Sequence, residues 1–402
     1  MTEVLFMIRI AIVGTGNIAN AHVQAYLQFP ERCHIAYLVD IVPEKARRMR
    51  EKYGLDAEVM DDHQALLPLQ DIDLVDVCTP PYVHAQISIN CLRSGKNVVC
   101  EKPMAASLEE CDQMLRARDE SGKRLSIIAQ NRFRQPIRNL KALLDSGLAG
   151  PVRCAQVDSF WWRGHCYYDL WWRGTWEKEG GGCTLNHAVH HIDMLLWMMG
   201  LPQRVTSVLA NTAHDNAEVE DLSVSILQYP GALAQLTASV VHHGEEQQLV
   251  FQCEKAKLAA PFSCYASLSM GNGFPQRNEA LEKEIADFAA ALPPIRYEGH
   301  TGQLENVLTA LEQNAPVAIG GEDGRRTIEL ITAVYKSGAT GETVSLPLAA
   351  DDPFYTVEGL MARMPHFHEK TASAADLEGE ITLGSSYTKL AKEESSCRFP
   401  TA

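Results

Sequence analysis

Between residues 180 and 193, the sequence GGGCTLNHAVHHID combines three glycines with histidine, asparagine and aspartate side chains. On a helix, Asn186, His190 and Asp193 are spaced i, i+4 and i+7 and would share one face. A histidine beside a carboxamide and an acid can act as a general acid or base near neutral pH. We therefore predict that His190 transfers a proton and that Asn186 is its catalytic neighbour.

Two other interpretations of this segment stay open. His187 and His191 have the i, i+4 spacing of a zincin-type metal site, but no acid lies between them to act as a base. The segment could also be a purely structural helix that begins near Cys183 or Thr184 and ends at Gly200. We favour the catalytic helix, predict no metal, and expect the glycines before it to let substrate or cofactor approach the backbone.

A lysine is the second group with a chemical role. Glu101, Lys102 and Pro103 follow the apolar run NVVC, which is typical of a buried strand. Ligands of a parallel sheet bind beyond the carboxyl ends of its strands, so Lys102 would lie at the mouth of a cleft. Partial desolvation there lowers the pKa of a lysine and suits it to proton chemistry. The alternative is an ordinary solvated loop lysine.

The N-terminal region has the pattern of a dinucleotide-binding unit. The apolar run IRIAIVG (8–14) predicts a strand buried on both faces, and it leads into the turn GTGNIA (14–19). In the motif G-x-G-x-x-G/A, the first glycine makes the tight turn and the second lets the backbone approach a pyrophosphate. A second strand, HIAYLVD, ends at Asp40, whose carboxylate can bind ribose hydroxyls and would repel a 2′-phosphate. NAD is therefore the predicted cofactor, rather than NADP.

Alternating helix and strand patterns continue to about residue 130. Helices are predicted at 43–54 and 81–95, and strands at 71–78 and 97–103. The loops that follow these strands would face the cofactor. The predicted cofactor-binding residues are Gly14, Gly16, Asn17, Ile18, Asp40, Thr79, Pro80, His84 and Glu101.

Five of the six tryptophans lie in SFWWRGHCYYDLWWRGTWEKEGGG, residues 159–182. Aromatic rings pack on the C–H faces of sugars, and arginine or tyrosine can bind hydroxyls or a carboxylate. Alternatively, these aromatic side chains pack a loop against a sheet or a neighbouring subunit. As a group they favour a carbohydrate or cyclitol substrate. The predicted substrate-binding residues are Arg163, Tyr167, Trp172, Arg173, His191 and, near the domain junction, Arg132.

Composition limits the other classes of function. A chain of 402 residues predicts two domains, and 46% hydrophobic with 22% charged residues is typical of globular proteins. The net charge of −15 disfavours nucleic acid and anionic membranes as partners, and no apolar run is long enough for a membrane span. Eleven cysteines without a C-x-x-C pair, and no signal-peptide pattern, predict a reduced protein of the cytoplasm.

In the C-terminal half, residues 232–253 alternate enough to predict adjacent strands, and residues 325–337 predict a helix. Beyond Pro347 the pattern breaks down. We expect the last fifty or so residues to cover the site or to brace a partner subunit. The alternative is disorder at the end of this segment, after Leu390. His300 is given no role.

Three motifs in order resemble the glucose-fructose oxidoreductase, inositol dehydrogenase and rhizopine catabolism (Gfo/Idh/MocA) family: GTGNIA with Asp40, CTPPYVH with EKP, and GGG-x-x-x-N-x-x-x-H-x-x-D. V-E-D at 219 belongs to the same resemblance. The resemblance implies an α/β Rossmann domain and then an α+β domain with a large, mostly antiparallel open sheet, whose exposed face often joins subunits. We expect domains at 1–130 and 131–350, an extension at 351–402, and a homodimer or homotetramer.

Through this resemblance, Lys102 would be the active-site lysine of the EKP motif, often followed by a cis proline, and His190 the proton-transferring histidine. The position of Asn186 is commonly aspartate in inositol-type dehydrogenases, which argues against a direct transfer of inositol specificity. The expected reaction moves a hydride from a secondary hydroxyl of a sugar or cyclitol to NAD, while His190 and Lys102 handle the proton. The alternatives are a redox-neutral glycosidase or lyase that oxidises its sugar transiently, and a non-catalytic dinucleotide-binding sensor.

Overall fold

In the computed structural model, which describes residues 7–375, the N-terminal region folds into a parallel sheet. Its strands are β1 (Ile8–Val13), β2 (Cys33–Val39), β3 (Glu58–Met60), β4 (Leu74–Val77), β5 (Asn97–Cys100) and β6 (Leu125–Ile127). They lie in the order β3-β2-β1-β4-β5-β6. The chain reverses its direction across the sheet between β1 and β4, and this is the place where doubly wound sheets bind ligands. The predicted Rossmann domain is confirmed.

Helices surround this sheet and continue beyond it. They are α1 (Ala19–Tyr26), α2 (Pro43–Tyr53), α3 (His84–Arg93), α4 (Leu108–Ser121), α5 (Gln135–Ser146), α6 (Cys183–Asn186), α7 (Val189–Met199), α8 (Glu279–Ala291), α9 (Gly299–Glu312), α10 (Gly321–Thr340) and α11 (Val357–Met361). Local signals fix their ends. The Ser107 hydroxyl accepts a hydrogen bond from the Glu110 N–H at the start of α4, and Gly122 ends that helix at φ 64°. None of the helices within residues 7–375 is both long and apolar enough to cross a bilayer.

A second sheet of nine strands follows. Its strands are β7 (Val152–Phe160), β8 (Arg204–Ala210), β9 (Leu222–Tyr229), β10 (Ala232–Ser239), β11 (Gln247–Cys253), β12 (Ala256–Ala260), β13 (Ser263–Ser269), β14 (Pro275–Arg277) and β15 (Val344–Ser345). The order is β14-β13-β12-β11-β7-β10-β9-β8-β15, and β7 with β10 is its parallel pair. The mostly antiparallel second sheet is therefore confirmed.

One sequence prediction about this sheet is wrong. Residues 232–253 do form two strands, β10 and β11, but β7 lies between them. Leu236 of β10 pairs with Val157 of β7, which in turn pairs with Leu249 of β11. Alternation of apolar and polar residues shows which side chains are buried, but it does not show which strand is the neighbour.

The two faces of the second sheet differ. On β9, Ser223, Ser225 and Leu227 are buried, whereas the intervening Val224 and Ile226 are exposed. Val208 of β8, cross-strand from Val224, is 69% exposed. Helices cover the first face, and the second is an open face that carries apolar side chains.

The C-terminal helices return to the first sheet. Leu304, Val307 and Leu308 of α9 are buried in the same apolar cluster as the strands β1 and β2. The two sheets are therefore joined by more than the connection after β6. The boundaries after residues 130 and 350 stay predictions, and much of the expected extension at 351–402 lies outside the described residues.

Candidate active site

Lys102 and His190 line the same small cavity, which lies between the carboxyl ends of β5 and β6 and the helices α7 and α10. Lys102 follows β5, and its ammonium Nζ donates a hydrogen bond to the backbone oxygen of Asn186 at 3.2 Å. His190 lies in the first turn of α7. The structure thus brings together an ammonium group from the end of β5 and an imidazole from α7, a helix that packs against β7 of the second sheet.

The environments of these two groups shift both pKa values downward. Burial lowers the pKa of Lys102, and the neighbouring Glu101 partly opposes this shift. Burial also lowers the pKa of His190 well below its usual value, and the positive charge of Lys102 adds to the effect. At neutral pH, His190 is therefore a neutral imidazole that can accept a proton from a hydroxyl, with an ammonium donor beside it.

The helix that carries Asn186 and His190 is interrupted. The prediction of one helix from about 183 to 200 is wrong, because α6 ends at Asn186 and α7 begins at Val189. The Ala188 N–H bonds to the Cys183 oxygen five residues back, which widens the turn between the two helices. The one-face argument for Asn186, His190 and Asp193 consequently does not hold.

The glycines before α6 have a different role from the one expected. A Cβ at Gly182 would lie 1.9 Å from the Glu220 backbone oxygen, and one at Gly181 would lie 2.1 Å from the Tyr335 hydroxyl. The Glu220 carboxylate accepts hydrogen bonds from the N–H groups of Gly182 at 3.1 Å and Thr184 at 3.0 Å. The close approach is made by the protein itself, and Glu220 of the V-E-D motif holds the start of α6.

The turn after β1 fits a dinucleotide. Gly14 has φ 90°, and a Cβ there would lie 2.7 Å from the backbone of Cys78, so only glycine fits at this position. At Gly16 a Cβ would meet nothing within 4 Å, which leaves room for a pyrophosphate next to the first turn of α1. Asn17 and Ile18 lie between this turn and α1.

Asp40 lies at the end of β2 beside the same turn. Its carboxylate accepts hydrogen bonds from Thr15 N at 2.9 Å, from Thr15 Oγ1 at 2.8 Å and from Val42 N at 2.9 Å. These bonds fix the carboxylate where the ribose of a bound dinucleotide would lie. The placement fits the predicted preference for NAD.

The loops after β4 and β5 are joined by His84. Its ring is fully buried, and its nitrogens contact the backbone oxygens of Thr79 at 2.7 Å and of Pro103 at 2.8 Å. His84 therefore ties the two loops together, and a direct contact with the cofactor stays a prediction. The buried hydroxyl of Thr79 has no hydrogen-bond partner within residues 7–375, so it is available to bind a ligand. Pro80, the next predicted cofactor-binding residue, follows it in the same loop.

The aromatic segment supplies a second wall of the site. The Arg173 guanidinium lies 4.3 Å from the ring centre of Tyr167 and 4.1 Å from that of Trp172. The Tyr167 hydroxyl lies 3.4 Å from Nε2 of His187. Arg163 pairs with Glu245 and lies over the Tyr167 ring at 5.6 Å. Four predicted substrate-binding residues are thus grouped together.

The other two predicted substrate-binding residues are placed differently. Arg132 is buried and donates to Asp193 through Nε and Nη2 at 2.8 and 2.6 Å, and to Asp323 through Nη1 at 3.2 Å. His191 is 1% exposed, and burial lowers its pKa to about 4. A substrate contact by either residue stays a prediction.

Two family models match the chain. Residues 8–129 match the oxidoreductase family with an NAD-binding Rossmann fold (GFO/IDH/MocA), and residues 137–259 match the GFO/IDH/MocA C-terminal domain. The chain belongs to the Gfo/Idh/MocA family. The recognition made from the sequence is confirmed, as is the NAD-binding class of the first domain.

Relatives of this Gfo/Idh/MocA protein act on sugars and cyclitols according to their names. An inositol 2-dehydrogenase from Rhizobium meliloti is 24% identical over 84% of this chain and 99% of its own length. A 2,7-anhydro-N-acetylneuraminate hydratase from Mediterraneibacter gnavus is 32% identical, but the alignment covers 52% of this chain and 54% of that protein. The chain thus spans about half the length of this second relative.

A solved structure shares the whole fold. The WlbA dehydrogenase from Bordetella pertussis, in complex with NADH and UDP-GlcNAcA, superposes with a TM-score of 0.74 and is 26% identical. The match covers 85% of this chain and 98% of that one. Both sheets of the Gfo/Idh/MocA protein therefore have counterparts in a nucleotide-bound dehydrogenase.

Sequence reasoning missed a buried ionic network beneath Lys102. The His22 ring nitrogens contact Asp76 at 2.7 Å and Glu101 at 2.9 Å. Both nitrogens can donate a hydrogen bond only when the His22 ring is a protonated imidazolium. Burial opposes that charge, but Asp76 outweighs it, and the pKa of His22 lies well above its ordinary value. The Glu101 carboxylate also accepts from the Lys102 N–H at 3.1 Å and lies 3.5 Å from His300. A histidine on the apolar face of α1 was the available signal.

The described part of the C-terminal extension braces the aromatic segment of its own chain. The Asn216 side chain accepts hydrogen bonds from the N–H groups of Thr371 at 2.7 Å and Ala372 at 2.8 Å. The Trp171 N–H donates to the Ala374 oxygen at 2.9 Å, and the Lys370 ammonium contacts the Tyr168 oxygen. The described part of the extension therefore contacts its own chain, and bracing of a partner subunit stays a prediction.

Proposed function

We propose that this Gfo/Idh/MocA protein is an NAD-dependent dehydrogenase that oxidises a secondary hydroxyl of a sugar, sugar derivative or cyclitol. The observation that carries the proposal is the small cavity that Lys102 and His190 line together at the carboxyl ends of β5 and β6. A cofactor bound at the Gly14 turn would extend along this edge of the sheet. The names of the inositol dehydrogenase relative and of the NADH-bound structure support the same class.

The residues of the site divide the chemistry between them. NAD, when bound, accepts the hydride from the carbinol carbon. His190, neutral at pH 7, takes the hydroxyl proton as a general base. The Lys102 ammonium donates a hydrogen bond to the same oxygen and stabilises the developing negative charge. The Asn186 backbone oxygen holds Lys102 in place at 3.2 Å.

The test is oxidation of a panel of sugars and polyols by the purified protein with NAD, followed by the absorbance of NADH. We expect His190→Asn to lower kcat by about 100-fold or more, because it removes the general base. His34→Asn, a half-buried histidine on β2, is the matched control and should keep full activity. Equal activity of the His190→Asn and wild-type proteins would rule out the proposed mechanism.

Asp40 supports NAD as the physiological cofactor. Its carboxylate would lie next to the ribose and repel a 2′-phosphate. Asp40→Ser should therefore raise the relative use of NADP, measured as the ratio of kcat/KM for NADP to that for NAD. An unchanged ratio would show that Asp40 does not contact the ribose.

A redox-neutral reaction is the second candidate, and the hydratase relative favours it. Such an enzyme oxidises its sugar transiently and returns the hydride, so product would form without net NADH. Chromatography of the products alongside the absorbance assay separates the two. Tight NAD binding without turnover, unchanged in His190→Asn, would instead support the sensor that the sequence left as a third possibility.

We also propose a cytoplasmic homodimer or homotetramer. The apolar open face of the second sheet, with Val208, Val224 and Ile226, supports an interface between two copies. The ten described cysteines are free thiols, which suits a reducing compartment. Light scattering of wild type and of Val208→Asp tests the assembly, and a monomeric wild type would refute it.

A further inference from the structure

Among the described residues, Arg173 has a buried Nε–H group without a hydrogen-bond acceptor. Elsewhere in the described chain, Arg32, Arg132 and Arg277 each direct Nε and Nη2 together at one carboxylate. Arg173 differs, because its Nη1 donates a hydrogen bond to the Glu179 carboxylate at 2.7 Å. The buried Nε–H has no hydrogen-bond partner among residues 7–375. A buried cationic donor without an acceptor is unfavourable, so the site is built for an acceptor that the chain does not supply.

The guanidinium is held rigidly in this orientation. It is stacked on the rings of Tyr167 and Trp172 at 4.3 and 4.1 Å. Its counter-ion Glu179 is 1% exposed and is fixed in turn by the N–H of Gly174 at 2.6 Å. Because these contacts already restrict the side chain, a ligand would bind to it with little loss of side-chain entropy.

Arg173 lies close to the reacting groups. It stacks on Tyr167, whose hydroxyl lies 3.4 Å from Nε2 of His187. His187 directly follows Asn186, whose backbone oxygen accepts the hydrogen bond from Lys102. The positive charge of Arg173 also contributes to the lowered pKa of Lys102 and of His187. Arg163 acts on His187 in the same direction. Glu179 and Glu245 pair with the two arginines, and the carboxylate of Glu101 lies beside Lys102.

We propose that the Nε–Nη2 edge of Arg173, whose Nε–H lacks an acceptor within residues 7–375, binds a carboxylate of the substrate, so that the protein acts on sugar acids such as uronic or aldonic acids. This inference rests on the proposed sugar dehydrogenase function. A carboxylate matches the planar fork of a guanidinium with two parallel charge-assisted hydrogen bonds. A neutral pair of hydroxyls would make weaker bonds to the same edge. In a protein of net charge −15, an anionic substrate needs such a local cationic partner.

The experiment uses sugars that differ only at one carbon. D-Glucose is compared with D-glucuronate, D-galactose with D-galacturonate, and each acid with its methyl ester, which has nearly the same shape without the charge. We expect kcat/KM of the wild-type protein to be at least about 10-fold higher for an acid than for its alcohol and its ester. Neutral sugars oxidised as well as acids would overturn the inference and leave the dehydrogenase proposal intact.

A variant tests the residue itself. Arg173→Lys keeps the charge but loses the fork, so kcat/KM for an acid should fall at least about 10-fold more than kcat/KM for its methyl ester. Arg277 of β14, an exposed arginine that pairs with Glu282 of α8, supplies the control. Arg277→Lys removes the same fork there and should leave kcat/KM for the acid and for the ester unchanged. Arg173→Lys with unaltered preference for acids would overturn the assignment. The wild-type comparison decides the substrate class even if Arg173→Lys folds poorly.

If no sugar is oxidised, the dehydrogenase proposal fails, and binding then tests the inference separately. The thermal unfolding temperature is measured with NADH present and each acid or methyl ester added. Stabilisation by an acid but not by its ester, lost in Arg173→Lys, would support the carboxylate site. The absence of any difference between acids and esters would refute it.

Discussion

Replacing Arg132 with methionine should destabilise the protein and leave substrate affinity unchanged. The sequence suggested a substrate contact, whereas the structure shows Arg132 tied to two carboxylates. Methionine has a similar length and no charge, so Arg132→Met removes the ion pairs and preserves most of the packing. The variant therefore distinguishes a structural role from a binding role.

The magnitude follows from the burial of the pair. The side chains of Arg132 and Asp193 are each 7% exposed and share two hydrogen bonds of 2.8 and 2.6 Å. Removing one partner of such a buried pair lowers the free energy of unfolding by about 3–5 kcal/mol, because the other charge is left buried and uncompensated. With roughly 1.2 °C lost per kcal/mol in a chain of 402 residues, Tm should fall by about 4–6 °C.

A double variant isolates the cause. In Arg132→Met with Asp193→Leu, neither buried charge is left alone, so most of the lost stability should return. Asp323 keeps a partner in both variants, because Arg326 donates to it at 2.8 Å. The double variant should therefore unfold within about 1–2 kcal/mol of wild type, as is common when an apolar pair replaces a buried ion pair.

The assays are urea unfolding followed by fluorescence and KM for the substrate found in the sugar panel. We expect a lower urea midpoint for Arg132→Met, an unchanged KM, and recovery in the double variant. An unchanged midpoint with a KM raised 10-fold would refute the structural assignment and restore the substrate role that the sequence suggested.

Two further predictions concern the site. In Lys102→Met the pKa of His190 should rise toward its ordinary value, because a neighbouring positive charge is lost, whereas Lys102→Arg should keep this pKa low. NMR titration of the His190 ring measures the pKa in both variants. The same pKa in both variants would contradict the coupling. Gly182→Ala should lower Tm by several degrees, since its Cβ would lie 1.9 Å from the Glu220 oxygen. Gly271→Ala, with nothing within 4 Å, is the control, and equal loss in both variants would refute the steric reason.

The sequence alone was sufficient for features that depend on neighbouring residues. The apolar run before Gly14 predicted β1, and Gly54 correctly marked the end of α2 with φ 62°. Asp40 could be placed at the end of β2 because it directly follows the apolar run that forms this strand. The motifs around Lys102 and His190 identified the family for the same reason, since each is read within a few consecutive residues.

Partners distant in sequence could not be predicted this way. The alternation in β10 and β11 gave the buried faces but not the insertion of β7 between them. The pattern from 183 to 200 looked like one helix. Glu220, which holds its first turn, lies 36 residues beyond Thr184.

Lys102 and His190 were recognised as residue types, but only the tertiary structure brings them into one cavity. The same is true of His22, which meets Asp76 54 residues away, and of Arg132, which meets Asp193 61 residues away. Backbone preferences act over a turn or two of chain, so the sequence by itself determines the local helices, strands and turns. Which charges are buried together, and hence their pKa values and partners, is decided by packing between distant segments, because desolvation and ion pairing depend on the folded surroundings.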